Sequence, residues 1–381
     1  MGLKIRYLMI FLVFSGVAAF GQQSGVQITP CGYLKFDATH DTARTAYGDL
    51  AFWVLPEQAV GGDERELNFS VREARLGVNL AGPETKGVKT TGRFELDFYE
   101  EIATPNLYRP RIRLIYVDLA WNNGWSLRLG QDWDVYSSFH PDMVDASALA
   151  YHGHLYGRHP QVRLTKDTKL GENTTLTVKL AAQYGRNGSN VDNDGQIDEY
   201  TASVPNFHGS VVLKPRLLTD RQSVFAVSGF YGREKLNGTE NPGDYESWLI
   251  HGGAQLPLSQ RFTLHGIAWK GANLDNHLGG IGQGIDAIIG TEVSTHGGWG
   301  QIVYNLTKST RTSVGYGIED PKDENLSGDA RTRNDRIFTN FFYNVNDRTT
   351  FGVEYSFLRT NYAVSQDMKN HRVNFAVQYR F

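Results

Sequence analysis

Acidic and basic side chains occupy alternate positions along several stretches of the chain. In the stretch 32–41, Lys35 and Asp37 lie on one face of such a pattern. Leu34 and Phe36 lie on the other face. A period of two is the pattern of a β-strand, whose successive side chains point to opposite faces. The spacing therefore predicts strands that separate water from an apolar phase, with charges arranged to attract and orient small ions rather than to perform covalent chemistry.

The same alternation recurs in later stretches and defines one set of residues that we predict to line a water-filled interior. Taken singly, each is compatible with a solvated surface charge, whereas the whole set on alternate positions favours a pore lining. The set consists of Lys35, Asp37, Arg75, Arg93, Glu95, Asp97, Arg111, Arg113, Asp118, Arg128, Asp132, Lys179 and Arg372.

The last ten residues show the alternation without a break. From Arg372 to Phe381, valine and aromatic residues alternate with polar or small ones. A terminal strand that ends in Phe also resembles the closing strand of bacterial outer-membrane barrels. We interpret the rest of the chain as the sheet that this strand closes.

Sixteen segments of this kind are separated by connections that alternate between short and long. Short turns such as 122–124 follow one end of the strands, and long connections, among them 42–67, 234–244 and 360–371, follow the other. The fifth strand is predicted at 125–136. Long outer loops and short periplasmic turns are typical of outer-membrane barrels. The predicted fold is therefore all-β: a transmembrane antiparallel β-barrel of 16 strands with short periplasmic turns and long extracellular loops.

The bulk composition excludes some classes of protein and predicts secretion. The net charge is −3, so no basic excess indicates nucleic acid as a partner. Lys4 and Arg6 precede a short apolar run with small residues at its end, which is typical of a signal peptide at 1–21. The mature chain, 22–381, is predicted to be one barrel. Cys31 is the single cysteine, so no intrachain disulfide can form.

A long insert, 137–158, follows the fifth strand and carries several ionisable residues. We expect it to fold inward and narrow the channel, with an ordinary outer loop as the alternative. Its residues expected at a constriction are Asp142, Asp145, His152, His154 and Arg158, with His159 beside them. Two histidines at H-x-H spacing can hold a metal, but in a loop such histidines are more often solvated side chains without a metal.

A second loop resembles part of a calcium-binding loop. Asn190, Asp192 and Asp194 supply oxygen ligands at alternate positions before Gly195, and Gln196 and Asp198 continue the series. Thr201 stands where the bidentate Glu of a complete loop would lie. The loop is a candidate for structural calcium, with a polar surface loop as the alternative, and no other cofactor is expected.

Several motifs from 72 to 133 resemble the DcaP-like outer-membrane porins, which are related to the phosphate-selective O/P-type porins. The matching stretches are R-E-A-R-L-G at 72–77, G-R-F-E-L-D-F at 92–98, and R-I-R at 111–113 through L-G-Q-D-W at 129–133. The resemblance implies a trimer of sixteen-stranded channels that favour small anions such as dicarboxylates. In this chain, anion preference requires the arginines of the predicted lining to outweigh the nearby carboxylates.

The sequence as a whole predicts a passive diffusion channel for small hydrophilic or anionic solutes, embedded in the lipids of a Gram-negative outer membrane. Strand number and inward polarity support this function, because sixteen strands enclose a lumen that side chains from the wall alone do not fill. Two alternatives remain at this stage: an outer-membrane enzyme resembling a phospholipase or protease, and a ligand-binding barrel with a blocked lumen. The sequence contains no G-x-S-x-G, H-E-x-x-H or phosphate-loop motif, so we expect no enzymatic activity.

Overall fold

A computed structural model describes residues 25–57, 64–100, 108–185, 199–201, 204–237 and 241–381. These residues form a closed antiparallel β-barrel of sixteen strands, two of which are interrupted. The strands are β1 (Gln27–Asp41), β2 (Glu66–Ser70 and Arg75–Ala81), β3 (Val88–Asp97), β4 (Arg111–Trp121), β5 (Trp125–Trp133), β6 (Arg158–Lys169), β7 (Thr175–Gln183), β8 (Glu199–Thr201 and Asn206–Lys214), β9 (Val224–Leu236), β10 (Gly243–Pro257), β11 (Phe262–Ala272), β12 (Ser294–Asn305), β13 (Thr310–Pro321), β14 (Arg331–Asn344), β15 (Thr349–Tyr362) and β16 (Met368–Arg380). The predicted fold class is confirmed. The predicted signal peptide at 1–21 and the calcium-like loop at 190–198 lie outside the described residues.

Consecutive strands pair with one another, and the first and last strands close the sheet. The β1–β16 register runs from Tyr33 opposite Arg380 to Asp41 opposite Arg372. Closure leaves no free edge in the described part of the sheet, and a closed sheet is the condition for strands to cross a lipid bilayer. The predicted closing role of the C-terminal strand therefore agrees with the observed pairing.

The outer face of the barrel is apolar. Leu34 on β1 is 55% exposed and Val227 on β9 is 66% exposed, and the same holds for alternate residues around the sheet. Their inward neighbours are polar on most strands and largely buried. This alternation is what a wall with lipid outside and water or protein inside requires. Among the described residues, no helix has the length and apolarity to cross a membrane.

Three predicted boundaries differ from the structure. The fifth strand ends at Trp133, because a turn follows in which the Ser137 N–H donates to the Asp134 carbonyl (3.0 Å). The connections at 234–244 and 360–371 are shorter than expected, because the strands on either side continue towards the loop end. Long and short connections therefore alternate less strictly than the sequence suggests.

Candidate functional site

The connection 134–157 between β5 and β6 folds into the barrel, and we call it the inward loop. Its backbone bonds to strands on the far side: the Val144 N–H donates to Glu354 of β15 (2.8 Å), and Asn340 of β14 donates to the Asp142 carbonyl (2.7 Å). From β1, the Lys35 ammonium donates to the Val144 carbonyl (2.8 Å). Because these bonds reach three separate strands, they fix the loop against the inner wall.

Asp145 is the main ionic attachment of the inward loop. Its Oδ2 lies 2.8 Å from Arg372 Nε and 3.4 Å from Arg336, and all three side chains are almost fully buried. Burial acts to raise the pKa of Asp145, but the two guanidinium groups outweigh it and hold the pKa below its ordinary value. An ionised carboxylate between two buried cations is costly to remove, so Asp145 secures the loop rather than facing open water.

The histidines of the inward loop are buried and turned into the protein. The two ring nitrogens of His154 lie 2.6 and 3.0 Å from the Ala148 and Phe139 carbonyl oxygens, and the neutral ring donates to one of them at a time. His152 Nδ1 lies 3.0 Å from the Ala150 carbonyl oxygen. Burial lowers the pKa of His152 to about 3 and places that of His154 well below its usual range. Both rings are therefore neutral at physiological pH and add no positive charge to the interior.

An apolar cluster, which the sequence pattern does not predict, fills the side of the interior opposite the charged strands. It joins the inward loop to the inner faces of β8–β12 and β14. Its buried members are Tyr136, Phe139, Leu149, Leu155, Val212, Ala226, Phe230, Leu249, Ile267, Trp269, Leu274, Trp299 and Phe338. Because this side of the interior is packed, any aqueous passage must run along the other side.

A polar cavity of about 380 Å³ lies beside β2–β7, between the wall and the base of the inward loop. Its lining contains five basic and three acidic side chains, which gives a net charge of +2. The lining residues are Arg75, Arg93, Glu95, Leu114, Tyr116, Arg128, Asp132, Trp133, Asp134, Ser137, Arg163 and Lys179. Such an excess of positive charge in a confined polar space attracts anions.

Ion pairs hold most of the basic groups of the cavity in place. Asp132 Oδ2 lies 2.6 Å from Arg128 and 2.7 Å from Arg163, two residues that face each other across the β5–β6 pair. Like charges directly opposite each other are unfavourable, so the shared carboxylate is needed to keep them together. The Nε atoms of both arginines remain buried without a hydrogen-bond partner among the described residues. These two donors are unpaired but shielded from water, so an anionic solute reaches them only when the arginine side chains rotate.

Lys179 differs from the other basic groups of the cavity. It lies on β7, and among the described residues no carboxylate lies within ion-pair distance of its ammonium group. Its charged neighbours include Arg163 and Lys214. Among the described residues Lys179 therefore forms no ion pair, and together with Arg163 and Lys214 it adds positive charge to this part of the barrel.

The predicted lining residues divide into three groups. Arg75, Arg93, Glu95, Arg128, Asp132 and Lys179 line the cavity. Asp97, Arg111, Arg113 and Asp118 form ion pairs on β3–β5, for example Arg113 with Asp97 at 2.6 Å and Arg128 with Asp118 at 2.5 Å.

The third group differs from the expectation. Lys35, Asp37 and Arg372 point inward but are covered by the inward loop, so they hold the loop and do not face the cavity.

The residues predicted at the constriction also differ in orientation, although the loop does fold inward. Asp145, His152 and His154 are buried attachments. Asp142 pairs with Arg311 on β13 (2.6 Å), and the Arg158 guanidinium lies over the Trp133 ring (4.8 Å). The physical reason is that a loop inside a barrel must satisfy its own polar groups against the wall.

Arg163, Tyr116 and Asp134 line the cavity without having been selected from the sequence. Arg163 alternates with the outward Val162 and Leu164, so the period of two alone would have found it.

Comparisons with known proteins agree with this architecture. No family model and no curated protein matches the chain. Among solved structures, the outer membrane channel DcaP of Acinetobacter baumannii is similar with a TM-score of 0.74 and 21% identity, over 93% of this chain and 97% of that chain. An anion-selective porin from Comamonas acidovorans gives a TM-score of 0.62 and 12% identity, over 93% and 100%.

OmpT, an outer membrane protein of Vibrio cholerae in its trimer form, gives a TM-score of 0.58 and 10% identity, over 93% of this chain and 99% of that chain. At these identities the likeness establishes the fold. The expected resemblance to DcaP-like channels is thus confirmed at the level of architecture, and the chain has the fold of outer-membrane channels and porins.

Proposed function

We propose that the protein is a passive outer-membrane channel for small hydrophilic solutes, with a preference for anions. The observation that supports this most strongly is the polar cavity beside β2–β7, whose lining carries a net charge of +2. The closed sheet and its apolar outer face support a location in the outer membrane, because such a surface is stable only in lipid. The similarity to an outer membrane channel and an anion-selective porin favours transport over catalysis.

Small dicarboxylates are the solute class that we assign to this channel. Arg128 and Arg163 face each other across two paired strands, and each has a buried Nε donor without a partner among the described residues. Guanidinium groups bind carboxylates through parallel hydrogen bonds. A solute with two carboxylates can exchange contacts between these arginines and the Lys179 ammonium as it moves, while the wall carboxylates keep the binding weak enough for release.

Liposome swelling tests the proposed function. Purified protein reconstituted in liposomes is expected to admit succinate faster than a neutral solute of similar size, and to admit a diamine of similar length more slowly. Equal rates for all three would contradict the charge selectivity. The absence of swelling with any solute would contradict a channel of any kind.

The second candidate is a ligand-binding barrel with a closed lumen. The apolar cluster around Tyr136 and Leu149 favours it, because this cluster packs much of the interior. Saturable binding of a dicarboxylate without swelling or conductance would support this candidate over the channel.

We also propose that the protein assembles as a homotrimer. The trimer form of the similar Vibrio cholerae protein supports this. Sedimentation in detergent, compared with migration of unboiled and boiled samples on a gel, should report three chains per particle. A monomer at all concentrations would contradict the assembly but not the channel.

A further inference from the structure

Three ionisable side chains meet where the inward loop leaves the barrel wall. Asp134 follows β5, His159 lies on β6, and His277 lies on the short 3₁₀ helix Asp275–His277 between β11 and β12. His159 Nδ1 lies 2.9 Å from Asp134 Oδ1, and His277 Nδ1 lies 3.4 Å from Asp134 Oδ2. Three parts of the chain that are far apart in sequence thus bring two imidazoles to one carboxylate.

The donor atoms are close enough for a single ion to contact all of them. One ligand atom from each side chain lies within 4.8 Å of the others, and all three residues are buried. A tetrahedral ion with ligands at about 2.0–2.1 Å needs donors about 3.3–3.5 Å apart. The His277–Asp134 distance of 3.4 Å already fits, the His159–Asp134 distance of 2.9 Å must lengthen slightly, and the two histidines must approach each other. Two imidazoles with a carboxylate form a donor set that suits Zn²⁺ and similar first-row ions.

A fourth imidazole supplies an independent observation. His208 on β8 is 3% exposed, and both of its ring nitrogens lack a hydrogen-bond partner among the described residues. Its ring centre lies 6.1 Å from that of His277. A buried imidazole with no partner is costly, because its polar atoms have lost water without replacement. A bound ion, or a water held by that ion, would satisfy it.

The surroundings leave space for the carboxylate and a route for an ion. Gly157 lies against Asp134, and a Cβ at this position would overlap the Oδ2 atom. The Tyr136 hydroxyl donates to Asp134 Oδ2 (2.7 Å) and lies 2.8 Å from His277 Nδ1, so it orients both groups. Asp134 also lines the polar cavity, which gives an ion access from water.

We propose that Asp134, His159 and His277 form a binding site for a first-row divalent transition ion such as Zn²⁺, with His208 as a fourth ligand or as a partner of a metal-bound water. The ion would link the ends of β5 and β6 to the segment between β11 and β12. When it binds, the protons on the ligating Nδ1 atoms move to Nε2, because only an unprotonated imidazole nitrogen can hold a metal.

Titration with Co²⁺ tests the site, because a four-coordinate Co²⁺ ion absorbs visible light. The protein is first treated with a chelator while folded in detergent, and Co²⁺ is then added. It should bind one Co²⁺ ion per chain, with the visible absorption of a four-coordinate ion, and added Zn²⁺ should displace the Co²⁺. His277→Ala and Asp134→Asn should each weaken binding by about tenfold or more, while the exposed-residue control His371→Ala should leave it unchanged. Binding that neither variant weakens would overturn the proposal, as would the absence of binding.

X-ray absorption at the zinc edge provides a second measurement on the unaltered protein, in case a variant fails to fold. The zinc-loaded protein should show nitrogen and oxygen ligands at about 2.0–2.2 Å together with the outer-shell signal of two or three imidazoles. A shell of oxygen ligands without imidazole would overturn the assignment. Neither measurement depends on solute transport, so failure of the metal site would leave the proposed channel unaffected.

Discussion

Replacement of Lys179 by glutamate tests the electrostatic basis of anion preference with little structural disturbance. Lys179 lines the cavity, is only half-buried and has no carboxylate within ion-pair distance among the described residues, so its replacement breaks no ion pair described in the structure. Lys179→Glu changes the lining from a net charge of +2 to zero. The neutral variant Lys179→Gln produces half of this change in the net charge of the lining.

The size of the effect follows from Coulomb's law. An ion about 7 Å from a unit charge in water interacts with it by about 0.6 kcal/mol, and screening over a Debye length of about 10 Å halves this value. A change of two unit charges therefore raises the free energy of an anion in the cavity by about 0.6 kcal/mol and lowers that of a cation by the same amount. The anion-to-cation permeability ratio should fall about eightfold in Lys179→Glu and about threefold in Lys179→Gln.

Reversal potentials across a planar bilayer with a salt gradient measure this ratio. Lys308→Glu is the matched control, because Lys308 is exposed in the turn between β12 and β13, far along the chain from the cavity lining. The effect should shrink as the ionic strength rises, since screening shortens the reach of the charge. If Lys179→Glu keeps the selectivity of the wild type, or if Lys308→Glu changes it equally, the cavity does not set ion preference.

Three further predictions concern the inward loop. Asp145→Ala should destabilise the protein by about 2–3 kcal/mol, because Arg336 and Arg372 each lose one of their two buried carboxylate partners. The thermal midpoint should fall, although Arg336 keeps Glu354 (3.0 Å) and Arg372 keeps Asp41 (2.8 Å). Burial lowers the pKa of His140 to about 4 and of His152 to about 3, below the ordinary value of about 6.5. Protonation of these two histidines therefore favours a state in which the inward loop is detached from the wall and the rings reach water. The protection of residues 137–157 against hydrogen exchange should be constant above about pH 6.5 and fall as the pH drops from there towards 4. Gly153→Ala should push the loop away from β12, towards the side of the polar cavity, and lower the conductance, because Gly153 has φ +97° and a Cβ there would overlap the Gly298 carbonyl.

Each of these predictions has a clear contrary outcome. An unchanged thermal midpoint in Asp145→Ala would show that the buried pairs do not hold the loop. Equal exchange protection at pH 7 and pH 4 would contradict the effect of the buried histidines. Gly300→Ala serves as the control for Gly153→Ala, because a Cβ at Gly300 meets no atom of the described chain within 4 Å. Equal conductance in the two glycine variants would show that the loop contact does not limit flow.

The strands could be predicted from the sequence because lipid imposes a strict rule on each of them. Side chains such as Phe36 and Val373 must face outward and their neighbours Lys35 and Arg372 inward, so a period of two identifies both the strand and its faces. The predicted fifth strand, 125–136, begins at the residue where the observed β5 begins, Trp125. The same rule identified six residues of the cavity lining.

The structure of the interior could not be predicted in the same way. The inward loop is positioned by contacts with strands that lie far away in sequence, as when Asp145 pairs with Arg336 and Arg372. Local spacing carries no information about such contacts. For the same reason, the H-x-H spacing of His152 and His154 did not indicate that these side chains are buried. The cluster of Asp134, His159 and His277 could not be found either, because its members do not belong to one sequence motif. Alternation assigns a residue to a face, but the contacts of a loop depend on the whole barrel.

The reversal potential of the unaltered protein in a planar bilayer, with a tenfold KCl gradient, tests the central claim most directly. A water-filled passage with a positively charged lining predicts ohmic single-channel steps and a reversal potential displaced towards the equilibrium potential of chloride. A displacement towards that of potassium, or purified protein that inserts without conducting, would contradict the account.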